Sequence, residues 1–175
     1  MHPTNSLHMP SLRSVQEAID SATAGMTEEQ WSWHPAGKWC SAQILEHLSL
    51  TFVNSIKGMN RLLAEGKPPI RKSTMKERMA VLVTVKIGHI PGGRKAPESV
   101  VPRGMDSRDA QAAIRESVVK MDELGRQCEE RFGGKEKVFV HPILGLISVP
   151  QLFKFHRTHT LHHMRQIRAL RQMQG

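Results

Sequence analysis

The feature that most constrains the fold is the stretch 41–65, where apolar side chains recur every three or four residues. The apolar positions on one side of this stretch are Ile44, Leu48, Phe52, Ile56, Met59 and Leu63. This spacing matches the period of about 3.6 residues of an α-helix, and it predicts a long helix with one buried face. Gly66 and the pair Pro68-Pro69 mark its end.

Three further stretches show the same periodicity: Ser11–Ala24, Ser107–Phe132 and Ser148 to about Met173. Ser148, followed three residues later by Gln151, has the form of a capping box, which predicts the start of the last helix. Residues 74–87 are mixed, because a helix-favouring beginning is followed by valines with a period of two. We favour a helix there as well.

The remaining long segment, 88–105, is rich in proline and glycine and predicts an irregular crossover connection. We therefore expect an all-α fold, a four-helix bundle with a long crossover and one or two additional short helices. One domain should span residues 1–175, with residues 1–10 as a flexible N-terminal segment.

Composition argues against several classes of protein. The longest apolar run, around residues 79–85, is too short to span a bilayer, and the N-terminus lacks the pattern of a signal peptide. We expect a cytoplasmic protein without a membrane partner. Only Cys40 and Cys128 are present, far apart in the chain, which suggests neither a disulfide framework nor a cysteine zinc cluster.

The net charge of +9 raises the question of nucleic-acid binding. Basic residues extend from Arg61 into the last helix, without a basic tail or an aromatic stacking motif. We expect a solvated basic surface and no nucleic-acid partner.

Four of the ten histidines lie within the stretch 155–163. His159 and His163 are four residues apart, so on a helix they share one face and could hold one metal ion. A catalytic zinc-type site usually has three protein ligands and one open position. His47 is the best candidate for the third ligand, because it lies in the middle of the second long helix at the edge of the apolar stripe.

Other polar residues near these positions have several possible roles. His156 lies one turn before His159 and could donate a hydrogen bond to a metal ligand, contact a substrate or be a core residue. His162 is rotated about 60° from His159 and is expected to support a metal ligand from behind or to lie on the surface. Gln166 shares the face of His163 and could orient a bound water or ligand. His89 and His141 are expected in loops, where either could reach the mouth of the site, although a capping role also accounts for them.

Two of these motifs together resemble a known superfamily. The stretch Trp39-Cys40-Ser41-Ala42-Gln43-Ile44-Leu45-Glu46-His47-Leu48 is similar to the opening motif of DinB-like (YfiT-like) proteins. The stretch His159-Thr160-Leu161-His162-His163-Met164-Arg165-Gln166-Ile167 is similar to their closing motif. The stretches 93–97 and 141–148 resemble a branch of this superfamily known only as a domain of unknown function.

This resemblance implies a four-helix bundle, often a homodimer, that holds a divalent metal ion such as Zn, Ni or Mn. By motif position the ligands would be His47, His159 and His163. The implied function is a metal-dependent thiol S-transferase, which joins a low-molecular-weight thiol to a small-molecule substrate. Alternatives are a metal-dependent hydrolase, which would lack an obvious general base here, and a non-enzymatic metal-holding or stress-related dimeric interaction protein. Cys40 and Gln43 depart from the motif, where a serine and a glutamate are common.

Overall fold

The computed structural model describes residues 12–91 and 95–174, which are mostly helical. In chain order these residues form α1 (Arg13–Thr23), α2 (Glu28–Ser32), α3 (Ser41–Glu65), α4 (Met75–Val81), a π-helical segment (Leu82–Ile87), a 3₁₀ turn (Glu98–Val100), α5 (Ser107–Phe132), β1 (Lys137–His141), β2 (Gly145–Ser148) and α6 (Val149–Gln174). The segment 1–10, expected to be flexible, the predicted first helical residue Ser11, and part of the crossover lie outside the described residues.

The four predicted long helices are present. The bounds of α3 and α5 are those expected from the sequence, and α6 differs by one residue at each end. At the start of α6 the backbone N–H of Ser148 donates to Gln151 Oε1 at 3.0 Å, and the N–H of Gln151 donates to Ser148 Oγ at 3.4 Å. The predicted capping box is therefore confirmed, and it sets the point where α6 begins.

The long helices surround one hydrophobic core. α3 packs mainly on α5, α1 packs mainly on α6, and α3 also contacts α6. The largest side chains that are almost fully buried include Phe52, Leu48, Met59, Ile114, Met121 and Phe153. The classification as a four-helix bundle with a long crossover stays a prediction. None of the helices within the described ranges is long and apolar enough to cross a membrane.

The mostly helical chain also contains a small antiparallel hairpin of β1 and β2, which the sequence did not predict. Phe139 pairs with Ile147 and His141 pairs with Gly145, with an irregularity between residues 137 and 139. The strands have only five and four residues, so they are too short to show a clear period of two. His141 ends β1 and does not lie in a loop, although its Nδ1 does cap the turn by accepting the backbone N–H groups of the residues at 143 and 144.

The ambiguous segment 74–87 is helical, as favoured, but it changes type. α4 continues directly into the π-helical segment, whose Thr84 and Val85 are buried while its other residues are partly or fully exposed. A π-helix has a wider turn than an α-helix and is rare outside single turns. This segment contacts α6.

Candidate metal centre

Three histidines from two helices meet at one point between α3 and α6. The Nε2 atom of His159 lies 3.3 Å from Nε2 of His47 and 3.0 Å from Nε2 of His163. All three ligand atoms lie within 4.8 Å of one another. The structure therefore brings together the three residues that the sequence selected, although His47 is 112 residues away from His159.

The orientation of the His47 ring is set by the crossover connection. Nδ1 of His47 lies 2.8 Å from the carbonyl oxygen of Val100, which is the last residue of the 3₁₀ turn. A carbonyl oxygen can only accept a hydrogen bond, so Nδ1 carries the proton and donates it. Nε2 consequently has a free lone pair, and that lone pair points towards the other two rings.

His163 is oriented in the same way by Gln166. Nδ1 of His163 lies 2.7 Å from Oε1 of Gln166 and donates to it. On the other side, the amide nitrogen of Gln166 lies 3.2 Å from Nε2 of His162 and donates to it. His162 and Gln166 thus support the ring of His163 from outside the cluster.

These two fixed tautomers create an excess of lone pairs at the centre. Nε2 of His159 carries at most one proton, so it can donate to His47 or to His163 but not to both. One of the two close nitrogen pairs is therefore left without a proton between its lone pairs. A cation at the centre would remove this repulsion, since it accepts all three lone pairs.

The spacing fits a first-row divalent metal ion. Two imidazole nitrogens bound to one zinc ion at about 2.0–2.1 Å, with an angle of about 90–109° between them, would be about 2.9–3.4 Å apart. The observed separations of 3.0 and 3.3 Å fall in this range.

His159 differs from the other two rings, because its Nδ1 is buried without a hydrogen-bond partner among the described residues.

Burial favours the neutral form of all three rings, which is the form that binds metals. Desolvation lowers the pKa of His47, against the opposing effect of its bond to Val100. Desolvation, together with the nearby His47, lowers the pKa of His163 to about 3. The pKa of His159 is also well below its usual value, because of burial and of the neighbouring histidines.

No carboxylate of the described chain joins the cluster. The nearest in sequence, Glu46, is buried and accepts hydrogen bonds from the backbone N–H groups of residues 103–105. Burial tends to raise the pKa of Glu46, but these bonds and the charge of Arg103 lower it below the usual range. Glu46 is therefore a fixed anion that holds the crossover, and it is not available as a base beside the histidines.

Two aromatic side chains border the site. The ring of Trp39 lies 5.0 Å from that of His47, and the ring of Phe155 lies 5.3 Å from that of His159 in a nearly parallel arrangement. Sequence reasoning missed Phe155 and the role of Val100. The only indication for Phe155 in the sequence was its inward position on α6, one turn before His159. Nothing in the sequence indicated Val100, because its contact with His47 is made by a backbone atom.

His156 lies in the core and outside the cluster. Its side chain is fully buried, its Nε2 is 2.9 Å from Ser55 Oγ, and its ring centroid is 4.1 Å from that of Phe52. Because Nε2 is directed to Ser55, His156 is not a fourth residue of the metal centre in this arrangement. Of its three possible roles, the core position agrees best with this geometry.

Comparison with curated proteins and with solved structures gives no significant match. Residues 1–169 of the chain match the family DUF1569, whose description is "protein of unknown function". This match covers nearly the whole chain, including all three clustered histidines. The chain belongs to the DUF1569 family.

Proposed function

We propose that this protein is a DinB-like four-helix bundle that holds a divalent metal ion through His47, His159 and His163. We further propose that it transfers a low-molecular-weight thiol to a small electrophilic substrate. The observation that carries the proposal is that hydrogen bonds set the tautomers of both His47 and His163. Val100 and Gln166 accept the Nδ1 protons of these two rings, so their Nε2 lone pairs point towards Nε2 of His159. A bound cation would accept all three lone pairs.

The absence of a carboxylate from the histidine cluster, among the described residues, favours thiol transfer over hydrolysis. A divalent ion in this site would lower the pKa of a bound thiol, as such ions do for bound water. Hydrolysis commonly needs a further general base, such as the glutamate of zinc proteases. In the transfer, the thiol sulfur forms a bond to an electrophilic carbon, the leaving group departs with the bonding electron pair, and the thiol proton passes to solvent.

The surrounding residues support such a site by position. Trp39 and Phe155 place apolar rings against His47 and His159, which limits the access of water to the cluster. The bond from His47 to Val100 fixes the crossover beside the site. Three protein ligands leave coordination positions open for a thiol or substrate.

The first experiment measures metal content in untagged protein that has never contacted a nickel column. We expect about one divalent ion per chain by elemental analysis, or uptake of one equivalent of zinc, nickel or manganese. The His159→Ala variant should lose this ion. His34 is exposed and outside the cluster, so His34→Ala is the matched control and should keep it. Protein that neither contains nor takes up a divalent ion would overturn the metal proposal.

A second experiment tests the chemistry separately. Metal-loaded protein is mixed with cysteine, glutathione, coenzyme A, bacillithiol or mycothiol and a panel of small electrophiles, and S-conjugates are measured by mass spectrometry. Conjugates should form faster than without protein, and chelation or His159→Ala should abolish the difference. Hydrolysis of the same electrophiles without conjugates would favour a hydrolase. A metal-loaded protein that is inert in both assays would favour the non-enzymatic alternative, and sedimentation velocity would then test the homodimer.

A further inference from the structure

Most of the net positive charge of the chain comes from one segment. Residues 67–97 contain eight Lys or Arg residues and one Glu, a net charge of +7 out of +9 for the whole chain. The single acidic residue, Glu77, is already paired with Arg71 and accepts the backbone N–H of Thr74 at the start of α4. The segment therefore contains no second acidic residue to neutralise its other cations.

Part of this segment faces the hairpin across a pocket of about 280 Å³. Val81 and Leu82 line it from the helical side, and Leu144 and Leu146 line it from the hairpin side. The volume lies at the small end of the range for ligand pockets, and an apolar lining with a few polar groups is typical of such pockets.

Three cationic side chains line the same pocket. They are Arg78 from α4, Lys86 from the π-helical segment and Lys137 from β1, and no acidic residue lies among the lining residues that the structure describes. In the described part of the chain, none of the three has an ion pair or a side-chain hydrogen bond. Like charges gathered around a low-dielectric surface produce a positive potential, which attracts anions.

α4 approaches the hairpin through the side chain of Glu77, which lies against Gly145, and not through a buried apolar face. α4 has no buried residue, and its apolar side chains Met75, Met79 and the adjoining Leu82 remain exposed. The wide turn of the π-helical segment follows immediately. An apolar surface beside cations without ion-pair partners suits a ligand that has both an apolar body and a negative charge.

We propose that this pocket binds a small amphiphilic anion. Its carboxylate or phosphate group would meet Arg78, Lys86 and Lys137, and its apolar body would lie on Leu144 and Leu146. A second copy of the chain is a poor occupant, because two segments of net charge +7 would repel each other. This site is separate from the metal centre, since no histidine lines it.

The test uses the full chain and four probes below their micellar concentrations: octanoate, octyl phosphate, octanol and acetate. Binding is measured by calorimetry and located by amide shifts in nitrogen-15 NMR spectra. We expect octanoate or octyl phosphate to bind and to shift residues 78–86 and 144–146, while octanol and acetate bind at least about tenfold more weakly. Rising salt should weaken the binding.

Two variants and one control keep the test independent of the metal centre. Lys86→Gln with Lys137→Gln should lower the affinity about tenfold. Lys57 is an exposed cation on α3, and Lys57→Gln should have no effect. The His159→Ala variant should bind octanoate or octyl phosphate as tightly as the wild-type protein does. This result would show that the probe is not coordinated by a metal ion at the histidine cluster. Equal binding of octanol, equal affinity in the double variant, or binding only to vesicles of anionic lipid would overturn the proposal.

Discussion

Glu46 and His47, consecutive residues of α3, both hold the crossover connection, and they do so with opposite polarity. The carboxylate of Glu46 accepts the backbone N–H groups of residues 103–105 at 2.7 to 3.0 Å. His47 donates its Nδ1 proton to the carbonyl oxygen of Val100 at 2.8 Å. One turn of α3 therefore sets both the path of the crossover and the ring orientation of a proposed metal ligand.

Glu46→Gln should weaken this connection without removing volume. A glutamine keeps one acceptor oxygen but turns an NH₂ group towards backbone donors, so at least one of these N–H groups loses its partner. We expect a loss of about 2–3 kcal/mol in the free energy of unfolding, measured with urea on metal-free protein. Glu98 is exposed on the neighbouring 3₁₀ turn, and Glu98→Gln should change stability by less than about 0.5 kcal/mol. Equal stability of both variants would contradict the role of Glu46.

Gln166 should set metal affinity through the tautomer of His163. Gln166→Leu removes the acceptor of the Nδ1 proton, and we expect metal affinity to fall about 10- to 100-fold, measured by competition with a chelating dye. Gln166→Glu keeps an acceptor at the same place and should retain affinity near that of the unchanged chain. The far-ultraviolet circular dichroism of both variants should be normal. If the Leu variant binds as tightly as the Glu variant, the hydrogen bond has no such role.

Much of the fold could be predicted because helical periodicity is a local property. The apolar stripe of α3 and the capping box of Ser148 specified where two of the long helices begin. The cluster of His159 and His163 followed from the same periodicity, since residues four apart share a face. His47 could be selected because a histidine at the edge of an apolar stripe faces other helices.

Other features depend on contacts that no short stretch of sequence contains. The bonds between Glu46 and residues 103–105 join positions 57 to 59 residues apart. The acceptor of the bond from His47 is the backbone oxygen of Val100, and every residue has such an oxygen, so the sequence does not indicate it. The hairpin strands were too short for their alternation to be distinguished from a loop. The π-helical segment depends on packing against α6, because its valines alone are compatible with a strand.

His141 should make stability depend on pH in the acid range. Burial lowers its pKa to about 4, from the usual 6.5. Between these values the unfolded chain binds a proton that the folded chain does not, so stability falls as pH falls from 6.5 towards 4, by up to about 3 kcal/mol. In His141→Asn the side-chain oxygen can still cap the turn. When the free energy of urea unfolding is measured at several pH values, it should depend less steeply on pH in this variant than in the wild-type protein. An unchanged pH dependence would assign the acid sensitivity to other groups.

Gly58 should be required where the hairpin packs on α3. A Cβ atom at position 58 would lie 2.5 and 2.8 Å from two ring atoms of Phe139, closer than real contacts. Alanine normally stabilises a helix by about 1 kcal/mol relative to glycine, but the forced shift of a buried ring costs about 1–3 kcal/mol. We therefore expect Gly58→Ala to be neutral or destabilising by up to about 2 kcal/mol in urea unfolding. In a Phe139→Leu background, where the ring is absent, the same substitution should be stabilising, and a failure of the sign to change would show that the ring does not set the requirement.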